Sequence, residues 1–312
     1  LLRRKDNTIC FESDDGIRKY VPIETVKEMH IFGKITVNSD LLSFLTQKQI
    51  LLHFYNFFDY YQGTYYPREH YNSGYMTIKQ ALFYQDQSSR LFLAKQFVKG
   101  AYRNMRKVIH YYHNRGHAVK QLGEYIEDLA DTIDEQTDIN SLMAIEGNIR
   151  EKYYTVFDTV LDDSDFTFQK RSRRPPKNPI NAMISFGNML LYTSVLSEIY
   201  KTHLDPRIGY LHTSNFRRFS LNLDVAEIFK PILVDRLIFS LINRGVIKKK
   251  HFSKELPGFY LKEDSRKLFV EKWEERLQTT VKCYKIQHKV SYRRLLRLEL
   301  YKLEKHFLGE KE

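Results

Sequence analysis

The hydrophobic pattern of this chain changes period once, and that change limits the fold more than any other feature. Up to about residue 70, apolar residues come in short strand-like runs at 8–12, 18–23, 27–32, 35–37 and 50–55. Asp14-Asp15-Gly16 and Gly33-Lys34 read as turns, and Gly63 and Pro67 bracket one more extended piece. Ser39 is placed to cap a short helix over 40–46. From about residue 77 the pattern becomes helical. Leu91, Ala94, Val98, Ala101, Met105, Val108 and Tyr112 recur at alternating spacings of three and four, the signature of one buried helix face.

These periods predict an α+β chain. A small β-sandwich-like domain covers 1–70, a linker covers 71–76 within the stretch from Pro67 to Gly74, and a larger all-α domain covers 77–312. Helices are expected at about 125–132, from Asn140 as cap to 157, at 181–201, and at 223–243, where Asn243-Arg244-Gly245 is a stop signal. Residues 248–261 read as a short hairpin with Pro257-Gly258 at its turn. Two last helices are expected at 265–279 and 281–307, with Leu296, Leu300, Leu303 and Phe307 as the apolar edge of the second.

Composition excludes several classes. The chain has 312 residues, and no apolar run approaches the roughly 18 residues of a membrane span. Its two cysteines, Cys10 and Cys283, form neither a disulfide framework nor a zinc spacing. The opening Leu1-Leu2-Arg3-Arg4-Lys5 leads into a strand rather than a secretory leader. The first residue is not Met, so a few residues are expected to precede it. A reducing, cytoplasmic setting is expected. The formal net charge is +12 and the pI about 9.4, which favours a polyanionic partner. The 22 tyrosines and 21 phenylalanines could stack on bases, although such residues more often fill cores.

Three places in the helical region could carry chemistry. Glu146 lies in an apolar helix beside Gly147, a residue that weakens a helix and could admit another element close to the carboxylate. It could equally pair with Arg150 four residues on. His212 follows Asp205-Pro206 and Gly209 at a loop-to-helix junction, where a lone histidine can also be purely structural. Asp224 and Glu227 share a face of the first turn of a helix, which could be no more than a well-capped helix start. Brought together, these acids and one neutral imidazole would suit a hard cation, Mg²⁺ or Mn²⁺, with positions left open for water and phosphate. No cysteine is near in sequence, which argues against zinc held by thiolates.

Basic residues flank these acids. Arg171, Arg173, Arg174 and Lys177 lie on a stretch that Pro175, Pro176 and Pro179 keep extended, and Arg217-Arg218 falls between His212 and Asp224. Positive charge on a stiff loop suits phosphate contacts. Lys95, Lys99, Arg103 and Lys107 make a second basic stripe at four-residue spacing. It could follow a phosphate backbone or be a solvated helix face.

With these residues in hand, the chain resembles the CRISPR-associated endonuclease and integrase of spacer acquisition, the Cas protein numbered one. The matching segments are Met143-Ala144-Ile145-Glu146-Gly147, Arg171-Ser172-Arg173-Arg174-Pro175-Pro176, Asn178-Pro179-Ile180-Asn181-Ala182 and Ser185-Phe186-Gly187-Asn188. They continue with Leu204-Asp205-Pro206, Gly209-Tyr210-Leu211-His212, Leu221-Asn222-Leu223-Asp224-Val225-Ala226-Glu227, Pro231 and Asp235. Ile31-Phe32-Gly33 and His53-Phe54-Tyr55-Asn56 carry it into the β region, so it spans nearly the whole chain. The resemblance implies a β domain that dimerises and a helical catalytic domain. It implies metal ligation by Glu146, His212 and Glu227 with Asp224 in support, where the last ligand is Asp in some members. It also implies a homodimer that assembles with the small Cas protein numbered two on double-stranded DNA. The implied reaction is insertion of short fragments at CRISPR repeat boundaries by transesterification, with hydrolysis possible at the same centre. The alternatives are a metal-dependent nuclease acting on branched DNA in repair and a non-catalytic DNA-binding scaffold.

Overall fold

The structure, a computed structural model, describes residues 1–56, 58–68, 71, 73–212, 219–255, 258–283 and 287–310. The chain divides into two compact units, Leu1–Asn72 and Ser73–Glu312.

Among the described residues, the first unit holds two three-stranded sheets, one α-helix and a 3-10 turn at Ile23–Thr25. Strands β1 (Leu2–Lys5), β2 (Thr8–Glu12) and β3 (Arg18–Pro22) form an antiparallel meander. In the second sheet β4 (Glu28–Phe32) pairs in parallel with β5 (Leu51–Tyr55), and β6 (Tyr61–Tyr65) completes it antiparallel. Parallel neighbours cannot be joined by a tight turn. Helix α1 (Ser39–Lys48) supplies the crossover between β4 and β5. Residues 35–37, expected as a strand, belong to that connection and keep only a bridge from Val37 to Leu2. The cap is Asn38, one residue before the expected Ser39, and its side chain accepts the Leu41 N–H at 3.1 Å. Leu2, Ile9, Ile31, Leu52 and the α1 face of Leu41, Phe44 and Leu45 share one core.

The second unit is mostly helical. It runs through α2 (Gly74–Gln85), α3 (Gln87–His113), α4 (Lys120–Asp131), α5 (Ile139–Tyr154), α6 (Val156–Val160), α7 (Pro179–Ile199), α8 (Leu221–Phe229) and α9 (Arg236–Asn243). The helical pattern thus starts at Gly74, before the expected 77. Helix α7 is buried along nearly its whole length, as its almost uniformly apolar sequence requires. Asn178 caps it and Pro179 opens it. The expected single helix at 223–243 is three segments, because a π-helical turn, Lys230–Asp235, separates α8 from α9. Pro231 lies in that turn and has no N–H to continue an α ladder.

Strands β7 (Phe252–Glu255) and β8 (Gly258–Leu261) form the expected hairpin, with residues 256–257, including Pro257, outside the described residues. Helix α10 (Glu263–Gln278) follows. The expected helix at 281–307 is shorter. Strands β9 (Thr280–Cys283) and β10 (His288–Ser291) pair antiparallel, and α11 (Tyr292–Leu308) begins only after Ser291, whose hydroxyl accepts the Arg294 N–H. Val281 and Val290 stand opposite each other in that hairpin, a pairing that β-branched residues favour. No described helix is long and apolar enough to cross a membrane.

Candidate active site

Asp224 organises the centre. It sits fully buried in the first turn of α8. The N–H groups of Tyr210 and Leu211 donate to its Oδ2 at 2.5 and 3.1 Å, and the N–H of His212 donates to its Oδ1 at 2.9 Å. His212 Nδ1 meets the same Oδ1 at 2.8 Å. A carboxylate only accepts, so this contact assigns the ring proton to Nδ1 and leaves Nε2 as the free position. The loop before His212 is shaped for this contact. Ser220 Oγ accepts the Gly209 N–H at 2.9 Å and donates to the Arg207 carbonyl at 2.6 Å, while the Ser220 and Leu221 N–H groups donate to the Pro206 carbonyl.

Glu227 lies three residues beyond Asp224, in the second turn of α8 rather than the first, and is 5% exposed. His212 Nε2 is 4.0 Å from its Oε1. Arg150 Nη2 donates to Glu227 Oε2 at 2.5 Å, and Lys230 Nζ donates to Oε1. Arg150 also reaches Glu146 Oε1 through Nε and Nη2, each at 3.3 Å. A single guanidinium therefore joins carboxylates from α5 and α8, and Glu146 is the more open of the two acids. The alternative pairing of Glu146 with Arg150 is present, but as part of this larger network. Gly147 has open space where a Cβ would stand, so it admits no close neighbour there, contrary to the sequence expectation.

The charges set the protonation. Burial would push Glu227 up, but the Lys230 ammonium and the Arg150 guanidinium outweigh it and hold the acid well below the usual carboxylate range. Burial would lower Lys230, yet Glu227 drives it above its ordinary value. Burial likewise works against His212 protonation, and the bond to Asp224 reverses that, so its pKa is raised.

The donor set fits a hard cation. It offers two carboxylates and one imidazole whose other nitrogen is fixed by a carboxylate, the arrangement that orients metal-binding histidines. Glu146, His212 and Glu227 would hold such a cation, with His212 Nε2 already 4.0 Å from Glu227 Oε1. As the side chains stand, no trio of His, Cys, Asp or Glu among the described residues is gathered closely enough to hold a metal. Lys230 and Arg150 supply the positive charge at the Glu227 oxygens instead. Lys230 was not anticipated from the sequence, although its position three residues after Glu227 was a legible signal.

The basic loop before α7 is firmly held. Asn181 Oδ1 accepts the Ser172 N–H at 3.0 Å, and its Nδ2 donates to the Lys170 carbonyl at 2.8 Å. Arg171 is half-buried and donates to Asn181 Oδ1 at 2.9 Å and Ser185 Oγ at 3.0 Å, so it ties the loop to α7. Arg173, Arg174 and Lys177 are exposed. The Arg174–Pro175 peptide is cis. Strand β8 braces the loop: the Phe259 N–H donates to the Pro176 carbonyl at 2.9 Å, and a Cβ on Gly258 would fall 2.6 Å from Pro175 Cβ. Arg217 and Arg218 lie outside the described residues.

The family model described as CRISPR associated protein Cas1 matches residues 1–275. The chain belongs to the Cas1 family. It is 53% identical over 311 residues to a CRISPR-associated endonuclease Cas1 of Thermodesulfovibrio yellowstonii, covering 100% of this chain and 94% of the relative. A solved Cas1 protein from Thermotoga maritima is similar at a TM-score of 0.89 and 45% identity, covering 99% of this chain and 95% of that one. A casposase bound to its integration product shares the fold at a TM-score of 0.87 and 19% identity, covering 100% of this chain and 89% of that one. The family resemblance read from the motifs is thus established, as is a strand-rich N-terminal region followed by a mostly helical domain.

Proposed function

We propose that this Cas1 protein integrates short DNA duplexes into a CRISPR array by transesterification, and cleaves DNA at the same centre. One observation carries the reading. Three backbone N–H groups and an imidazole Nδ1 converge on buried Asp224, fixing His212 Nε2 toward Glu227. Glu146, His212 and Glu227 would hold Mg²⁺ or Mn²⁺, and Asp224 would orient the histidine. When bound, the cation supplies charge stabilisation to the phosphodiester and its leaving oxygen. Asp224 keeps His212 in one tautomer. Arg150 holds Glu146 and Glu227 near each other against their mutual repulsion, and Lys230 keeps Glu227 ionised. Exposed Arg173, Arg174 and Lys177 on the braced loop offer phosphate contacts. Relatives named as endonucleases and a casposase of the same fold support strand cleavage and transfer. Neighbours solved as Cas1–Cas2 assemblies and as a Cas1–DNA complex support DNA and Cas2 as partners. That the DNA is double-stranded, and that the N-terminal unit makes a homodimer contact, rests on the motif resemblance alone.

The test is joining of donor DNA with a free 3′-hydroxyl to a repeat-bearing plasmid, with Mg²⁺ or Mn²⁺. Glu146→Ala and His212→Ala should abolish joining. Joining that survives either change removes the centre from the chemistry, as a non-catalytic scaffold would require. Activity on branched DNA without need of a repeat would favour a repair nuclease.

A further inference from the structure

The basic stripe on α3 divides in two. At its N-terminal end Lys95 Nζ donates to the Asp134 carbonyl at 2.8 Å, and Lys99 Nζ contacts both Asp134 carboxylate oxygens at 2.5 and 2.7 Å, so that half is engaged. Among the described residues the C-terminal half makes no ion pair, and Lys107 Nζ reaches only the Asn104 Oδ1 at 3.3 Å. Arg103 and Lys107 are exposed, the next position in the four-residue repeat is Tyr111, and the one after is exposed Arg115. The Arg115 guanidinium carbon is 3.7 Å from the Tyr111 ring centre, and that of Arg236, at the start of α9, is 4.2 Å from it. Two guanidiniums cannot share one ring face at those distances, so Tyr111 lies between them. Arg276 of α10 adds a third charge. It stacks on Tyr292 at 4.7 Å and donates through Nη2 to the Ile232 carbonyl at 2.7 Å, and its Nε is buried with no hydrogen-bond partner. Burial, then the nearby charge of Arg236, lowers its pKa.

Among the described residues no carboxylate pairs with Arg103, Arg115, Arg236 or Arg276. On the neighbouring face of α3, Glu127 is already engaged by Arg106 at 3.3 Å. Stacking occupies the faces of a guanidinium and leaves its in-plane N–H donors at the edge, where they match phosphate oxygens. From Arg103 to Tyr111, steps of four residues advance about 6 Å along α3, a repeat suited to successive groups of an extended polyanion, and Arg115 stands in the turn just past the helix end. We propose that Arg103, Lys107, Arg115 and Arg236, organised around Tyr111, form a track for a nucleic-acid phosphate backbone, separate from the acidic centre and from the loop bearing Arg173 and Arg174. The proposal rests on the DNA reading given above.

The experiment is duplex DNA binding by fluorescence anisotropy across a salt series, using the full chain. Arg115→Ala with Arg236→Ala should flatten the plot of log affinity against log salt by about 2, at about 0.9 per phosphate contact, and weaken binding by about 60-fold near 0.1 M salt. Arg115→Ala alone, at an exposed position, should flatten it by about 1 and covers the case in which the double variant folds poorly. Lys95→Ala with Lys99→Ala, which removes the same charge from the engaged half of the stripe, should leave the slope close to that of the unaltered protein. An unaltered slope in the Arg115 variants, or an equal loss in the Lys95 and Lys99 variant, overturns the track and leaves the acidic centre standing. If the unaltered protein binds no DNA, both readings fall.

Discussion

Gly209 and Asp224 are packed so closely that a Cβ at Gly209 would lie 2.9 Å from Asp224 Oδ2, and 2.8 Å from the Ser220 carbonyl carbon. Neither neighbour can yield freely. Ser220 is tied to Gly209 and Arg207 by its hydroxyl, and Asp224 is held by three backbone N–H groups. Gly209→Ala should therefore destabilise the protein by about 1–3 kcal/mol, the range for overpacking a rigid site. It should also reduce DNA joining by more than that loss explains, because His212 moves with the loop. Urea unfolding and joining measured on the same preparation test this. A variant as stable and active as the unaltered protein would show that the loop relaxes without disturbing Asp224.

Lys230 and a bound divalent cation would compete for the same Glu227 oxygen. The ammonium contacts Oε1, the atom 4.0 Å from His212 Nε2. Lys230→Met should lower the melting temperature in chelator, because Glu227 loses one of its two cationic partners. Adding Mg²⁺ or Mn²⁺ should then raise the melting temperature by more than it does in the unaltered protein, since a ligand that binds only the folded state stabilises it by mass action. Equal cation-induced shifts in the two proteins would place the cation away from Glu227.

Much of this centre could be read from sequence, and the reason is local. Asp224 and Glu227 share a helix face by spacing alone, and Asp205-Pro206 with Gly209 announces the loop that carries His212. The change from strand to helix period likewise exposed the order of the two regions. What stayed hidden depends on contacts between distant segments. Arg150 looked like a simple partner for Glu146, and only the fold, which packs both α5 and α8 against α3, shows it holding Glu227, 77 residues away. The β9–β10 hairpin was read as helix because its strands are only four residues each, too short for alternation to outweigh the apolar edge that follows.

The β7–β8 hairpin braces the basic loop through one glycine. A Cβ at Gly258 would meet Pro175 Cβ at 2.6 Å and the Pro176 carbonyl oxygen at 2.8 Å, and the Phe259 N–H bonds to that same oxygen. Gly258→Ala should push the loop away and displace Arg173 and Arg174 together. DNA affinity should fall several-fold, while metal-induced thermal stabilisation stays as in the unaltered protein, since no proposed ligand lies on the loop. Unchanged DNA affinity would remove this loop from the DNA-contacting surface.

Asp235 should give stability a pH dependence of its own. It is 1% exposed, closes the π-helical turn, and its Oδ2 has no hydrogen-bond partner among the described residues. Burial pushes its pKa up to about 7 from the ordinary 3.8, against the pull of Arg150, Lys230 and Arg171. Buried Tyr153 is the other titratable group facing it, and its pKa is raised well above its usual value. An acid whose pKa is higher in the folded state holds its proton there while the unfolded chain has already lost it. Its contribution is thus fully present below about pH 4 and is lost as pH rises through about 7. At about 1.4 kcal/mol per unit, the change amounts to a few kcal/mol at most. Asp235→Asn, neutral at every pH, should gain stability relative to the unaltered protein between pH 5 and pH 8. Urea unfolding at those two values measures the difference. A stability gap that stays constant across that range would mean that Asp235 is already ionised in the folded protein at pH 5.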